Sequence, residues 1–196
     1  RRRIAAAQKS YVLQSPSRLA HPIDGGAAKG GAEHTPASDG QGRHFGSAAH
    51  RILETALRDS PEDARLLIAP IAEEMKLDGA QQDMLREMLE RAVSNALWQR
   101  MSAATRCYTE LPFGEMISGD RETIPTVMRG TIDAVFEENG VWTIVDYKTD
   151  EVRDADDPRV AQYRQQIGAY RDAWERITGQ RPRALLWFVR TDLIAE

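Results

Sequence analysis

The chain has 196 residues, of which 41% are hydrophobic and 29% charged, a composition that is ordinary for one soluble globular domain with appendages. No apolar run approaches the roughly 20 residues that a membrane-spanning helix needs, so we expect no contact with a membrane. The formal net charge of −4 excludes a uniformly basic surface, so a nucleic-acid partner would have to make local contacts.

Cysteine content limits the kinds of site that this chain can build. The single cysteine, Cys107, excludes an internal disulfide framework and any four-cysteine zinc or iron–sulfur site supplied by this chain alone. We therefore predict a chain without an iron–sulfur cluster in a reducing cytoplasm. The sequence opens with Arg1 rather than methionine, which indicates a piece cut from a longer protein.

Small and polar residues dominate residues 22–43, where Gly, Ala, Pro and Ser leave almost no large apolar side chain. This composition predicts a flexible connector. We accordingly divide the chain into a segment that precedes the domain (1–21), a flexible linker (22–44) and a folded domain (45–196), which has a helical insert at about residues 60–104.

Helical patterns fill the first half of the folded domain. Ser47 is predicted to cap the first helix, because apolar residues recur at helical spacing after it. Ser60 and Pro61 are the predicted cap and first residue of a second helix. A third helix is predicted from about residue 80 to residue 104, where a methionine-rich stripe indicates a side that faces the core.

Three segments that resemble strands follow, at residues 107–117, 126–137 and 141–149. Asn139 and Gly140 separate the last two segments. This dipeptide is the strongest short hairpin signal, because a type I′ turn needs positive φ at both central residues. The sequence therefore predicts an antiparallel hairpin with a two-residue turn.

A long helix is predicted to begin at Asp157-Pro158 and to end at Gly179. Its apolar stripe consists of Tyr163, Ile167, Tyr170, Trp174 and Ile177. The fully apolar segment 184–189 is typical of a buried strand, so strand, helix and strand form a parallel crossover unit. The predicted fold class is α/β, with a central mixed sheet that contains an antiparallel hairpin and a parallel crossover strand and is flanked by helices.

The predicted turn also gives the register of the hairpin, in which Asp133 falls directly opposite Asp146. Opposed side chains on one sheet face have Cβ atoms roughly 4.5–5.5 Å apart, and like charges there are destabilising. Lys148 is expected on the same face, about 7 Å along the strand from Asp146. This arrangement predicts a site for Mg²⁺ or Mn²⁺, since both ions prefer carboxylate, carbonyl and water ligands.

A solvated strand face is the alternative explanation for these charges, because exposed charges on a strand need no function. It fits poorly, since Trp142 and Ile144 would share this face and the following helix must cover it. We therefore favour a chemical role for the acids and the lysine.

Four segments, in order and spacing, resemble the RecB-like branch of the PD-(D/E)xK nucleases, and within it the C-terminal nuclease domain of AddA-type helicase–nucleases. They are FGSAAHRILE (45–54), GTID (130–133), VDYKTD (145–150) and YRQQIGAY (163–170). SPSRL (15–19) resembles the segment that precedes this domain in such proteins. Gly-Thr-Ile rather than Pro leads up to Asp133, which is the form that the RecB branch generally has. The resemblance implies a restriction-endonuclease-like core over residues 45–190.

The resemblance also implies a set of metal ligands. These are His50, Asp133, Asp146 and the backbone carbonyl of Tyr147, with Mg²⁺ as the expected ion and Mn²⁺ as the other possibility. Neutral imidazole can complete the coordination of a divalent ion. His50 alone on a helix would more often be an ordinary surface or core histidine, and only the company of the aspartates favours a ligand. Glu110 is left open as a further acid near the site.

Catalysis is implied to rest on Asp133, Asp146 and Lys148, where Lys148 positions or activates a water. Gln166 and Tyr170 match the QxxxY element of the family and share a helix face at positions i and i+4. Tyr170 can equally be a plain core residue, because it lies on the apolar stripe. Five arginines are candidates for phosphate contacts, with a solvated helix face as the alternative: Arg153, Arg159, Arg164, Arg171 and Arg176.

The function implied by the resemblance is that of a metal-dependent DNA nuclease domain in a double-strand-break repair helicase–nuclease of the bacterial cytoplasm. It would hydrolyse phosphodiester bonds of single-stranded DNA that emerges from unwinding, beside the N-terminal helicase part of its own chain and an AddB-like subunit. One alternative is a free-standing exonuclease or restriction-type enzyme. Another is a catalytically inactive module that binds DNA ends or a partner protein, against which the presence of Asp133, Asp146 and Lys148 argues.

Overall fold

The computed structural model describes residues 12–16, 37–117 and 126–196. In chain order the elements are β1 (Val12–Gln14), α1 (Ala37–Arg58), α2 (Pro61–Glu74), α3 (Gly79–Ser94), α4 (Ala96–Ala103), β2 (Arg106–Ile117), β3 (Thr126–Glu138), β4 (Val141–Lys148), α5 (Pro158–Thr178), β5 (Arg183–Phe188) and β6 (Leu193–Ala195). None of the helices within these ranges has the length and apolarity that a membrane crossing requires.

The β3–β4 hairpin confirms the register that the sequence predicted. Asn139 and Gly140 have φ values of 54° and 81°, the positive values that the predicted turn needs. The antiparallel ladder runs from the turn to the pair formed by Ala134 and Val145 and ends there. The next step along this register is the pair of aspartates, which is where the two strands part.

Strand β3 is the centre of a six-stranded mixed sheet. Strand β2 lies antiparallel along one edge of β3 over nearly its whole length. The other edge is shared, because β1 pairs in parallel with residues 126–128 and β4 pairs with residues 134–138. Strand β5 lies parallel to β4, which confirms the crossover through α5, and β6 completes the sheet. The short strands β1 and β6 were not predicted.

Helices cover both faces of the sheet and give the domain two hydrophobic cores. On one face, side chains such as Phe136 and Val145 pack against helices α1 to α4. On the opposite face, Ile144 and Leu186 pack against α5. The helices of the predicted insert therefore belong to the core on the α1 face, and the site between the strands borders both cores.

Helix α1 begins earlier than predicted. The sequence placed its cap at Ser47, whereas the helix starts at Ala37, so residues 37–44 of the predicted linker are helical. Two glycines, Gly42 and Gly46, lower the helix propensity of this stretch and hide the start of the helix. Residues 22–36, the rest of the predicted linker, lie outside the described residues.

The helix predicted over residues 80–104 is two helices. Asn95 adopts an extended conformation between α3 and α4, and its side-chain oxygen accepts a hydrogen bond from the Leu97 amide at 2.7 Å. An asparagine that bonds its own backbone in this way competes with helix continuation. Ser60 and Gly179 are confirmed as the N-cap of α2 and the left-handed C-cap of α5.

The predicted apolar stripe of α5 needs one correction. Ile177 is 58% exposed, whereas the other four members of the stripe are buried. The last turn of α5 extends beyond the edge of the core, so the stripe ends one helical turn earlier than the sequence indicated.

Replacing Gly140 with alanine tests the turn on which the register depends. We expect Gly140→Ala to lower the free energy of unfolding by about 1 kcal/mol, because an L side chain at a φ of 81° is strained. The control is Gly168→Ala in the middle of α5, where a Cβ would meet nothing within 4 Å. That change should raise the free energy of unfolding by roughly 0.5–1 kcal/mol. Urea denaturation measures both, and equal stability of Gly140→Ala and the wild type would contradict the turn.

Candidate active site

The candidate site lies where β3 and β4 separate. Asp133 and Asp146 are both buried there, with 8% and 2% of their surfaces exposed. One Asp133 oxygen, Oδ2, accepts a hydrogen bond from the Tyr147 amide at 2.7 Å. The Asp133 carboxylate therefore takes up a β4 backbone donor just beyond the end of the ladder, between the two strands.

Glu110 brings a third carboxylate to this place. It lies on β2 opposite Asp133, between the paired residues Thr109 and Leu111. Its φ of 47° is left-handed, a conformation that costs a non-glycine residue free energy and that recurs at functional sites. The ladder between β2 and β3 is interrupted at this residue, and the Glu110 carboxylate reaches the same opening as Asp133.

His50, Glu110 and Asp133 form a group that could hold a metal ion. Each offers one ligand atom, and these three atoms all lie within 4.8 Å of one another. Helix α1 supplies His50, whose Nδ1 is 3.3 Å from Asp133 Oδ1. The imidazole ring also meets the Tyr147 ring edge-on, with 6.0 Å between the ring centroids. Ala49 beside it is fully buried, which lets α1 lie close to the sheet.

Asp133 controls the protonation of His50. Desolvation disfavours the charged imidazolium, but the charge and hydrogen bond of Asp133, helped by the charge of Asp146, raise the pKa of His50 from 6.5 to about 9. Burial, and next to it the charge of Asp133, raise the pKa of Glu110 above its ordinary value. The imidazolium is therefore the main form of His50 at neutral pH, and a metal ion that binds this nitrogen must displace a proton.

Lys148 is held by three neighbours. Its Nζ lies 2.6 Å from Asp146 Oδ2 and donates a hydrogen bond to Gln166 Oε1 at 3.0 Å. The same nitrogen lies 4.5 Å from the centroid of the Tyr163 ring. Gln166 Nε2 in turn donates to the Tyr170 hydroxyl at 3.1 Å. Helix α5 thus places three side chains that fix the lysine at the opening.

Asp146 carries a buried oxygen that is incompletely satisfied. Its Oδ2 contacts the Lys148 ammonium but accepts no hydrogen bond of normal geometry from the described residues. Burial raises the pKa of Asp146 above its ordinary value, and the Lys148 charge opposes that shift. A buried carboxylate oxygen without a hydrogen bond is costly and is open to a cation. Carboxylates with one imidazole suit Mg²⁺ or Mn²⁺, so the donor set fits the predicted ion.

The two aspartates meet at one opening, but not as a simple facing pair. Ile132 and Val135 both lie in the α5 core although they are three residues apart, so the alternation of side chains breaks at Asp133. Asp133 consequently contacts His50 on the α1 side, whereas Asp146 contacts the lysine on the α5 side. They remain close enough for the charge of Asp133 to raise the pKa of Asp146.

Burial decides between the two explanations of the charged strand. Asp146 is 2% exposed, and Ile144 is fully buried in the α5 core, with Trp142 packed against the same core. The alternative of a solvated strand face is therefore wrong. Tyr170 is also buried in that core, and it contacts Gln166 at the same time.

Chain carbonyls and carboxylates already engage the five arginines considered for phosphate contacts. Arg153 pairs with Glu151, Arg159 with Asp157, Arg171 with Asp172 and Arg176 with Glu115, while Arg164 donates to the carbonyl of Glu196. These contacts favour the alternative of a solvated helix face over phosphate contacts.

Comparison with known proteins supplies the family. The sequence profile of the PD-(D/E)XK nuclease superfamily matches residues 24–195. The chain belongs to the PD-(D/E)XK nuclease superfamily. The mixed sheet with an antiparallel hairpin, a parallel crossover strand and flanking helices is the fold that was predicted.

Curated relatives of this superfamily member are named as AddA-type components of an ATP-dependent helicase/nuclease. The relative from Alkaliphilus oremlandii is 38% identical over 91 residues, which are 42% of this chain and 8% of the relative. The relative from Anoxybacillus flavithermus is 39% identical over 82 residues, which are 40% of this chain and 7% of the relative. The relative from Staphylococcus saprophyticus is 27% identical over 164 residues, 74% of this chain and 14% of the relative. The chain thus spans a small part of each of these relatives.

Metal binding should be linked to protons through His50. We expect Mn²⁺ to release about one proton per ion near pH 7 and progressively fewer as the pH rises above about 9, because only neutral imidazole is a ligand. Calorimetric titration in two buffers with different ionisation enthalpies counts the released protons.

Two variants serve as controls for this titration. Asp133→Asn should weaken Mn²⁺ binding and return the pKa of His50 toward its ordinary value, which NMR titration of the imidazole follows. His50→Ala should remove the released proton. Undiminished proton release from His50→Ala would show that His50 is not a ligand.

Proposed function

We propose that this domain is a divalent-metal-dependent deoxyribonuclease that hydrolyses phosphodiester bonds of single-stranded DNA by attack of water. The observation that carries the proposal is the meeting of His50, Glu110 and Asp133 with the Asp146–Lys148 pair at the opening between β3 and β4. Membership in the PD-(D/E)XK nuclease superfamily supports the reaction class.

The residues around the opening fit Mg²⁺, with Mn²⁺ as the other possibility. His50, Glu110, Asp133 and Asp146, together with the backbone carbonyl of Tyr147, would hold the ion. When bound, a divalent ion lowers the pKa of a coordinated water, polarises a phosphoryl oxygen and offsets negative charge in the transition state. Glu110 is the addition to the ligand set that the sequence implied.

Lys148 is the side chain that would act on the substrate directly. Its contacts with Asp146, Gln166 and the Tyr163 ring hold the ammonium group at the opening. From there it can orient the attacking water or donate a hydrogen bond to a phosphate oxygen, whose negative charge grows in the transition state. Gln166 and, through it, Tyr170 act as positioning residues for the lysine.

For the parent protein, we propose a helicase–nuclease that repairs double-strand breaks in the bacterial cytoplasm. The substrate would be a single strand that emerges from unwinding by a helicase part earlier in the same chain, cut in exonuclease mode beside an AddB-like subunit. The names of the curated relatives support a helicase–nuclease, and Cys107 alone cannot hold an iron–sulfur cluster. The folded nuclease domain would span residues 45–196 after the linker.

Substitutions at the two charged residues near the end of β4 test this proposal. We expect Lys148→Met to slow cleavage of labelled single-stranded DNA by roughly 10²–10⁴-fold, because it removes the group that orients or protonates at the reacting centre. Asp146→Ala and Asp146→Asn should abolish cleavage while DNA binding persists. Circular dichroism confirms that each variant is folded.

Arg86→Ala is the matched control, because Arg86 is an exposed residue of α3 paired with Asp83. It should cleave like the wild type, and a chelator should stop every active protein. A wild type that binds DNA but does not cut it with Mg²⁺ or Mn²⁺ would instead favour the inactive DNA-binding module.

A further inference from the structure

One edge of β3 is left open beside the candidate site. Strand β1 pairs with this edge as far as Met128, and β4 pairs with it from Ala134 onward. Residues 129–133 therefore have no strand partner on this edge among the described residues. Backbone groups that face such a gap can hydrogen-bond a ligand. The gap begins next to Asp133 and leads away from the site toward β1.

A cavity of about 470 Å³ lies beside this edge. Its walls come from the end of β1, from Pro112 and Phe113 of β2, and from Arg129, Gly130 and Thr131 of β3. Its volume is within the roughly 300–1,000 Å³ of typical ligand pockets. We call this cavity the β3 groove.

The β3 groove is joined to the lysine by side-chain contacts. The Phe113 ring meets the Tyr170 ring edge-on, with 5.6 Å between the ring centroids. Tyr170 accepts a hydrogen bond from Gln166, which itself accepts one from Lys148. A chain-like ligand at Lys148 can therefore continue into the groove.

Arg129 gives the β3 groove a positive charge. It is exposed, and it has no hydrogen-bond or ion-pair partner among the residues that the structure describes. Most of the other described arginines are paired with carboxylates, among them Arg51 and Arg65. An unpaired guanidinium can form a bidentate contact with a phosphate.

Gly130 shows that the walls of the β3 groove are closely fitted. A Cβ at this position would lie 2.9 Å from a carbon of the Phe113 ring and 3.2 Å from Pro16 Cδ. Glycine therefore allows the aromatic wall and the end of β1 to approach β3, and any side chain here would push one of them away.

We propose that the β3 groove binds the DNA strand on one side of the scissile phosphate, where Arg129 contacts a backbone phosphate and Phe113 faces the adjoining sugar or base. This inference rests on the proposed nuclease function. The positive charge and the continuity with Lys148 favour a nucleic-acid strand over a peptide strand added to the open β3 edge.

The salt dependence of DNA binding tests the phosphate contact. A fluorescein-labelled thymidine oligonucleotide is titrated with Mg²⁺ present in the Lys148→Met background, so that bound DNA is not cut. Arg129→Ala should weaken binding several-fold and lower the slope of log Kd against log salt by about 0.7, as expected for one lost phosphate contact on a single strand. Arg129→Lys should keep most of the slope, and the exposed control Arg86→Ala all of it.

Neutral linkages locate the contact along the strand. A single methylphosphonate, moved stepwise away from the cleaved bond, should slow wild-type cleavage at one position next to that bond. Arg129→Ala should lose this sensitivity, whereas Arg86→Ala should retain it. Urea denaturation should show that Arg129→Ala is as stable as the wild type, because Arg129 has no partner to lose among the described residues.

The two measurements separate this inference from the proposed function. A salt slope that is the same for Arg129→Ala and Arg86→Ala overturns the groove as a DNA site, even if the wild type is an active nuclease. A wild type that cuts no DNA overturns the nuclease proposal, while the salt slope still decides whether Arg129 contacts the strand. Absence of DNA binding by the wild type overturns both.

Discussion

The hydrogen bond between the Asp133 carboxylate and the Tyr147 amide is the contact on which the site depends. A regular hairpin would continue its ladder past this point and leave no room between β3 and β4. Because a side chain takes up the backbone donor, the strands separate without leaving that amide unpaired, which would be costly in a buried position. The opening so created receives ligands from three directions: β2 supplies Glu110, α1 supplies His50 and α5 supplies the groups that hold Lys148.

Charge balance explains how two carboxylates can be buried so close together. Asp133 lies beside the His50 imidazolium and Asp146 beside the Lys148 ammonium, so each acid has a cation of its own. Buried charges are tolerated when they are paired. The two pairs differ in what they can release. His50 can lose its proton and so make room for a metal ion, whereas Lys148 stays available for the substrate. The separation of the acids between the α1 side and the α5 side thus assigns them different tasks within one opening.

Local signals in the sequence were sufficient for the hairpin and its surroundings. Asn139-Gly140 specified a turn of known length, so the register could be counted outward to Asp133 and Asp146. Glu110 could not be found in this way, since the eight residues between β2 and β3 specify no register and its left-handed φ departs from strand geometry. The early start of α1 and the break at Asn95 were missed because each depends on a few residues whose propensity is overridden or supplied by tertiary contacts. Strands β1 and β6, with three residues each, are too short to show a period.

The open stretch of β3 also bears on how this protein avoids self-association. Unpaired strand edges are templates on which copies of a chain can stack, and the hazard grows with flat, uncharged segments of about six residues. Here the exposed run is only five residues long, it begins with a cationic Arg129 and ends with an anionic Asp133, and β1 and β4 flank it on both sides. A second copy that tried to add a strand would meet these charges and the two flanking strands at once. The same short gap that admits a ligand is therefore a poor nucleus for aggregation.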